Sequence, residues 1–294
     1  MERRHLEFFL AIADAGSLTR AAQVLHVAQP SLSYSMRTLE SELGAALFER
    51  HGRGVRLTAA GEALVGPARR AVRSFGLAAS AVRGVTDGGF GLLRIVSSTT
   101  WAVHPLVGLI GQFRRMRPHV RFEVTDPAAR TVVLDQVRTG QVDFGLVDGP
   151  PPAGALASLE LAEQQLLAVL PPGSGQGLTA TVEELLRHGL IGTPRGTALR
   201  GLLDQHLEAA GQATDVMVET AHAASVVPLV VSGAGAAVLP EGMTADAATK
   251  GARVARLEPE GRASVSLVWQ GAGLDGVAGD FLELVREHRA DPAY

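Results

Sequence analysis

The 294-residue chain contains no cysteine. Disulfides, thiolate zinc sites and cysteine nucleophiles are therefore excluded, and nothing points to an oxidising compartment. Aromatics make up only 4% of the chain, so aliphatic side chains must fill the interior, and the 46% of apolar residues suffice for that. No apolar run approaches the roughly 20 residues needed to span a bilayer. Arg3-Arg4 followed by Leu6–Ala13 has the outline of a secretion signal. Glu7 and Asp14 interrupt it, and the pattern continues into a folded segment, so a cytoplasmic protein is expected. Catalytic motifs are missing too. There is no GxSxG, P-loop or HExxH, and the nine His lack metal spacing. Gly271-Ala272-Gly273-Leu274-Asp275-Gly276 has GxGxxG spacing, but no second strand or acidic residue follows to complete a dinucleotide site, so it reads as a flexible turn. No enzyme activity, metal or cofactor is expected.

What is present is unevenly distributed. The net charge is −3, but residues 1–86 carry 11 Arg against 7 acidic residues, and the remainder carries 16 basic against 23 acidic. A basic N-terminal part thus precedes an acidic one. In the basic part, Leu6, Phe9, Leu10 and Ala13 recur at helical spacing. Gly16 ends that helix and Ser17 can cap a second, short one built on Ala21, Ala22 and Leu25. His26-Val27-Ala28 makes a tight turn, and Pro30 suits the first position of a third helix, whose buried stripe is Leu32, Met36, Leu39 and Leu43. Two helices joined by a three-residue turn are the helix-turn-helix plan.

The opposite face of the third helix carries Gln29, Ser31, Ser33, Tyr34 and Arg37. In the major groove, its N-terminal residues would reach base edges. Leu47-Phe48 then anchors a Gly-tipped segment from Glu49 to Thr58 bearing Arg50, Arg53 and Arg56, which reads as a basic hairpin, or wing, for phosphates or the minor groove. The run Gly16-Ser17-Leu18-Thr19-Arg20-Ala21-Ala22 is followed by Leu25, Val27 and Gln29-Pro30-Ser31-Leu32-Ser33. Leu39-Glu40, Leu43-Gly44, Leu47-Phe48, Arg50, Leu57-Thr58 and Ala60-Gly61 complete it. This gapless signature resembles the LysR-type transcriptional regulators. The resemblance implies that Gln29, Pro30, Ser31, Ser33, Tyr34 and Arg37 lie on or near a DNA-facing helix, with Arg50 in the wing and Arg53 entering the minor groove.

Thr58 can cap a helix running to about Val85. Leu64, Ala68, Ala71, Phe75, Ala78 and Val82 form a heptad seam suited to pairing with a second chain, although packing within its own domain fits the same pattern. Arg69, Arg70 and Arg73 suggest one exposed face, Pro67 a kink, and Asp87-Gly88-Gly89 a hinge. From Leu92 onward, strand-like and helical patterns alternate, which predicts α/β layers with parallel sheets. Thr181 with Glu184 reads as a capping box. Gly140-x-Val142-Asp143-Phe144-Gly145-Leu146 and Leu229-Val230-x-x-Gly233-x-Gly235-x-x-x-Leu239-Pro240 resemble the family's effector-binding region, itself similar to type 2 periplasmic binding proteins. That implies two lobes joined by crossing strands near Leu166–Leu170 and Ser264–Val268.

The expected fold class is α/β overall. A winged helix-turn-helix spans residues 1–58, a long linker helix 59–87, and a two-lobed effector-binding domain 88–294. One lobe comprises 92–165 with 269–294, the other 166–268. Ser98-Thr99-Thr100 follows the first strand, and Thr193-Pro194-Arg195-Gly196-Thr197 lies similarly in the second lobe. Such places hold ligands in open α/β sheets. Ser98, Thr99, Thr100, Thr193 and Thr197, with Arg130 or Arg195 as counter-charge, are therefore candidates for binding a small organic acid. Helix capping is the alternative role for each hydroxyl. Asp126-Pro127-Ala128-Ala129-Arg130 departs from the family's usual Glu-Gly-x-Ser stretch, and His222 is a surface residue or lines the cleft.

Two readings result. In one, an effector-responsive regulator binds double-stranded DNA at a dyad-symmetric operator, and the resemblance implies a homotetramer built as a dimer of dimers. In the other, a solute-binding protein or small enzyme carries a helical oligomerisation segment. Salt-dependent retention on duplex DNA separates them.

Overall fold

The computed structural model describes residues 1–51, 54–87, 91–127, 129–154, 156–271, 274 and 276–289, with only the backbone at position 73 and at 77–87. It divides into two compact units, residues 1–91 with 138–141, and residues 92–137 with 142–294.

The first unit contains α1 (Arg3–Ala15), α2 (Leu18–Val24), α3 (Gln29–Leu43), the hairpin β1 (Phe48–His51) and β2 (Gly54–Leu57), and α4 (Ala59–Asp87). α1 closes at Gly16 in the left-handed conformation (φ 61°), and the Ser17 hydroxyl accepts the Arg20 N–H at 3.5 Å to open α2. α3 begins at Gln29, which places Pro30 in its second position, still within the first turn where a missing N–H is harmless. Leu32, Met36 and Leu39 are buried, whereas Leu43, expected to complete that stripe, is 42% exposed. It is the last residue of α3, beyond the reach of the core. α1 buries a wider face than its spacing suggested, adding Phe8 and Ile12, because α4 packs along it.

The wing is fastened at both ends. Glu40 Oε1 accepts the N–H groups of Leu47 (2.8 Å) and Phe48 (3.3 Å). The Gly16 carbonyl accepts the Val55 N–H at 3.1 Å, and a Cβ at Gly54 would come within 2.5 Å of that oxygen, so only glycine fits. Thr58 caps α4 by accepting the Gly61 N–H at 3.1 Å. α4 continues through Pro67 without interruption. Of its heptad seam, Ala68 is buried, Leu64 and Ala71 are half-buried, and all three pack on the core of their own unit. The proposed seam thus spends its first half inside the domain. Phe75 is exposed, while the side chains of Ala78 and Val82 lie outside the described residues. Arg69 is not a free surface charge either, since it pairs with Asp14 of α1. The Arg73 side chain and the expected hinge at Gly88-Gly89 lie outside the described residues.

The second unit runs β3 (Gly91–Ser97), α5 (Thr99–Trp101), α6 (Val107–Met116), β4 (Val120–Thr125), α7 (Arg130–Arg138), β5 (Phe144–Asp148), β6 (Ala157–Leu170) and β7 (Thr179–Thr181). It continues with α8 (Val182–His188), β8 (Leu190–Gly192), α9 (Ala198–Ala209), β9 (Val216–Glu219), α10 (Val226–Val231), β10 (Ala237–Pro240), α11 (Ala245–Thr249), β11 (Arg253–Trp269) and α12 (Gly276–Arg289). The main sheet has the order β10-β6-β11-β5-β3-β4, with β7 also on β11. It is mixed rather than parallel. β3 and β5 are parallel, but β11 runs antiparallel to β5 and β6, as β6 does to β10.

β6 and β11 are the crossing strands, paired from Ala157 opposite Trp269 to Leu170 opposite Arg253. β11 pairs with β7 at Arg256–Glu258 and with β5 at Val265–Val268, so its crossing falls between those stretches, earlier than the expected Ser264–Val268. β6 already pairs with β10 at Leu166. One core holds Phe113, Phe144 and Phe281, with Phe113 and Phe281 edge-on at 5.3 Å. A second, aliphatic core gathers Val169, Ile191, Leu199, Val226, Val230 and Leu239. Thr181 caps α8 through the Glu184 N–H (3.3 Å), but the Glu184 carboxylate binds Arg253 at 2.6 Å instead of completing a capping box. Of the GxGxxG segment, residues 272, 273 and 275 lie outside the described residues.

Candidate functional site

In the first unit, the three buried positions of α3 turn its other face outward. Gln29, Pro30, Ser31, Tyr34 and Arg37 are exposed and Ser33 is half-buried. Tyr34 is 72% exposed, a large apolar ring with nothing to cover it. None of the side chains of Gln29, Ser31, Ser33, Tyr34 and Arg37 makes a hydrogen bond or ion pair among the described residues. They are free to meet a partner without breaking an internal contact. On the wing, Arg50 is exposed and unpaired among the described residues. Arg56, read from sequence as a third wing cation, is held by Glu49 at 2.5 Å, which cancels much of its charge. Arg53 lies outside the described residues. Sequence reading passed over Arg20 as a site residue. It is exposed on α2 and unpaired among the described residues, and the polar face of that helix was the available signal.

In the second unit, one cavity of about 430 Å³ opens at the end of β3, beside the end of β5 and the β8–α9 loop. All seven sequence-derived candidates line it: Ser98, Thr99, Thr100, Arg130, Thr193, Arg195 and Thr197. Their states differ. The Ser98 Oγ is buried without a hydrogen-bond partner among the described residues, and Thr100 is 3% exposed. Thr99 is engaged, because Asp126 Oδ2 accepts both its N–H (3.2 Å) and its hydroxyl (2.5 Å). Arg130 is not a spare counter-charge. It pairs with Asp148 at 3.3 Å and donates to the Pro150 carbonyl at 2.7 Å. Thr197 donates to the Pro194 carbonyl at 2.7 Å and lies 2.6 Å from the Thr193 hydroxyl, so that Thr193 supplies the proton between them. Both hydroxyl protons are spent within the loop. Arg195 is exposed and has no partner among the described residues. His222 is exposed and is not part of the lining, which includes its neighbours Ala221 and Ala223.

Among the lining residues that the sequence reading did not pick out are Asp126, Asp148 and Trp101. Arg200, also missed, does not line the cavity but supports the lining residue Thr193. It is 4% exposed and bonds Asp204 (2.7 Å), Glu219 (3.4 Å) and the Thr193 carbonyl (3.4 Å). It fixes the β8–α9 loop to β9. Away from the cavity, His206 is buried and His104 half-buried, and desolvation pushes both imidazoles below their ordinary range, with Glu241 partly opposing the shift at His104. Among the described residues no cluster of His, Asp or Glu is arranged to hold a metal ion, and no helix is long and apolar enough to cross a membrane.

Comparisons with known proteins agree with this architecture. Residues 3–62 match the bacterial regulatory helix-turn-helix proteins of the lysR family, and residues 86–290 match the LysR substrate binding domain. The nitrogen assimilation regulatory protein nac of Klebsiella aerogenes is 32% identical over 246 residues, covering 82% of this chain and 79% of that protein. The transcriptional regulator YofA of Bacillus subtilis (strain 168) is 31% identical over 241 residues, 82% of each chain. Among solved structures, a full-length OxyR variant from Pseudomonas aeruginosa superposes with a TM-score of 0.70 at 24% identity, covering 98% of this chain and 97% of that one. CbnR, a LysR family regulator, superposes with a TM-score of 0.67 at 24% identity, covering 99% and 100%. With a helix-turn-helix and wing in one unit, a ligand-sized cavity in an α/β unit, and family matches to both, the chain belongs to the LysR family: it is a DNA-binding transcriptional regulator with a C-terminal effector-binding domain.

Proposed function

We propose that the exposed face of α3 reads base edges in the major groove through Gln29, Ser31, Ser33, Tyr34 and Arg37, with Pro30 setting its entry. Arg50 and Arg53 of the wing would contact the backbone or the minor groove. In this reading residues 1–58 bind DNA, the rest of α4 to residue 87 links and dimerises, and 88–294 sense the effector. The exposed Phe75 supports pairing beyond the first turns of α4. Two chains paired there place two α3 helices on a dyad-symmetric operator, and two such dimers form a tetramer. The protein works in the cytoplasm, where the chromosome is.

The effector site is the cavity around Ser98, Thr99, Thr100, Arg130, Thr193, Arg195 and Thr197. The observation that carries this reading is that two sequence segments about 95 residues apart converge on one cavity, where the Ser98 hydroxyl and Arg195 have no partner among the described residues. Arg195 and the first-turn N–H groups of Ala198 and Leu199, unbonded among the described residues, suit an anionic group, as in an organic acid. A ligand that binds one arrangement of the lobes better than another shifts their equilibrium, and with it operator binding or bending. Operator-duplex binding at two salt concentrations, with and without a stabilising ligand, tests both halves. The wild type should lose DNA affinity steeply as salt rises. Ser98→Ala and Thr100→Val should keep that behaviour and lose the ligand response. An unaltered response in both variants would rule out the cavity, and salt-independent binding would rule out the DNA face.

A further inference from the structure

We infer that the effector is dipolar, carrying an ammonium as well as an anionic group, as a free amino acid does. This rests on the reading of the cavity as the effector site. Among the described residues, four charged side chains line the cavity: Asp126, Arg130, Asp148 and Arg195. Arg130 and Asp148 answer one another at 3.3 Å, which leaves Asp126 and Arg195. Asp126 already occupies the donors that a bound carboxylate would seek beside β3, since its Oδ2 takes the N–H and hydroxyl of Thr99. Its Oδ1 has no hydrogen bond among the described residues, so it remains available as an acceptor. A second anion there meets a like charge and no free Thr99 donor. The β8–α9 loop holds Arg195, without a partner among the described residues and with no acidic residue of its own loop in the lining.

The cavity therefore carries an available anion on the segment after β4 and an available cation on the β8–α9 loop, and its lining is formally neutral among the described residues. A ligand of one sign satisfies one of them and leaves the other uncompensated as water is displaced, which is unfavourable. A ligand carrying both signs satisfies both. The volume of about 430 Å³ accommodates an amino acid, with Leu146 and Leu199 available to its side chain.

The test uses the full-length protein and the twenty standard amino acids, each beside its des-amino carboxylate and its decarboxylated amine, by thermal shift and then calorimetric titration. At least one amino acid should bind saturably, and at least tenfold more tightly than either one-charge analogue. Asp126→Asn should weaken that amino acid at least fivefold and leave the carboxylate no worse. Arg195→Gln, an exposed position that does not bear on folding, should weaken both the amino acid and the carboxylate. A carboxylate binding as tightly as its amino acid, amino acid binding indifferent to Asp126→Asn and Arg195→Gln, or no binding by any amino acid would each overturn the inference. Carboxylate binding lost in Ser98→Ala would then keep the cavity as effector site while rejecting a dipolar ligand. Ligand binding unchanged by Ser98→Ala, Thr100→Val and Asp126→Asn together would reject both.

Discussion

The two units hold their polar groups in opposite ways. On α3 the side chains proposed to meet DNA make no hydrogen bond among the described residues, and Leu32, Met36 and Leu39 support them from behind. In the cavity most of them are already paired with one another, Thr99 with Asp126, Arg130 with Asp148 and Thr193 with Thr197. The difference suits the two tasks. A surface that reads many sequences in succession gains from rigid, unengaged groups that need no rearrangement. A sensor has to change when its ligand arrives, and internal pairs that a ligand replaces provide that change.

The contrast can be tested by disturbing each side alone. The largest effect should come from Leu39→Ala, which removes a fully buried side chain beneath the reading face. About 2–5 kcal/mol of stability should be lost from the first unit. Calorimetry of the full chain should show that transition shifted and the other in place, and a common shift would mean that the units do not unfold separately. Next comes Arg37→Ala, with the expected loss of about 1–3 kcal/mol in operator affinity for a base contact. If the loss is the same on unrelated duplexes and lowers the salt slope by about 1, Arg37 contacts phosphate instead. The smallest effect concerns pH. Burial favours neutral His206, so the unfolded chain takes up a proton first as pH falls. That part of the stability is complete above about 6.5, the ordinary value, and declines as pH drops from there towards the lower folded value. His206→Gln should flatten melting temperature against pH in the second unit. An identical slope in the variant would show that the acid loss arises elsewhere.

The first unit was legible in the sequence almost throughout, because local signals set it. Gly16, Ser17 and Pro30 punctuate helices whose apolar spacing is regular. Errors arose where a residue's partner is distant in sequence. Ala68 looked available for a second chain and Arg69 for solvent, but the core of their own unit claims Ala68 and Asp14 claims Arg69 across 55 residues. The second unit's alternation was legible, yet not the antiparallel pairing of β6 and β11, since strand direction in a long mixed ladder leaves no mark on periodicity. Ser98, Thr100 and Arg195 were found because their segments follow strands. Asp126 and Asp148 were missed for the opposite reason: each is an ordinary acidic residue until folding sets it against Thr99 or Arg130. Arg200 gave no sequence signal beyond a polar residue in an apolar helix face.

The Arg130–Asp148 pair bears on when such a regulator responds. Both side chains are about one-third exposed, and the pair closes at 3.3 Å within the cavity lining. A ligand group that displaces either partner competes with a bond inside the protein, worth on the order of 1 kcal/mol at such exposure. Because 1.4 kcal/mol corresponds to a tenfold change in binding constant, this raises the half-saturating concentration several-fold. A ligand that left the pair intact would escape that cost, so the pair favours effectors that are bound by the other charged groups of the lining.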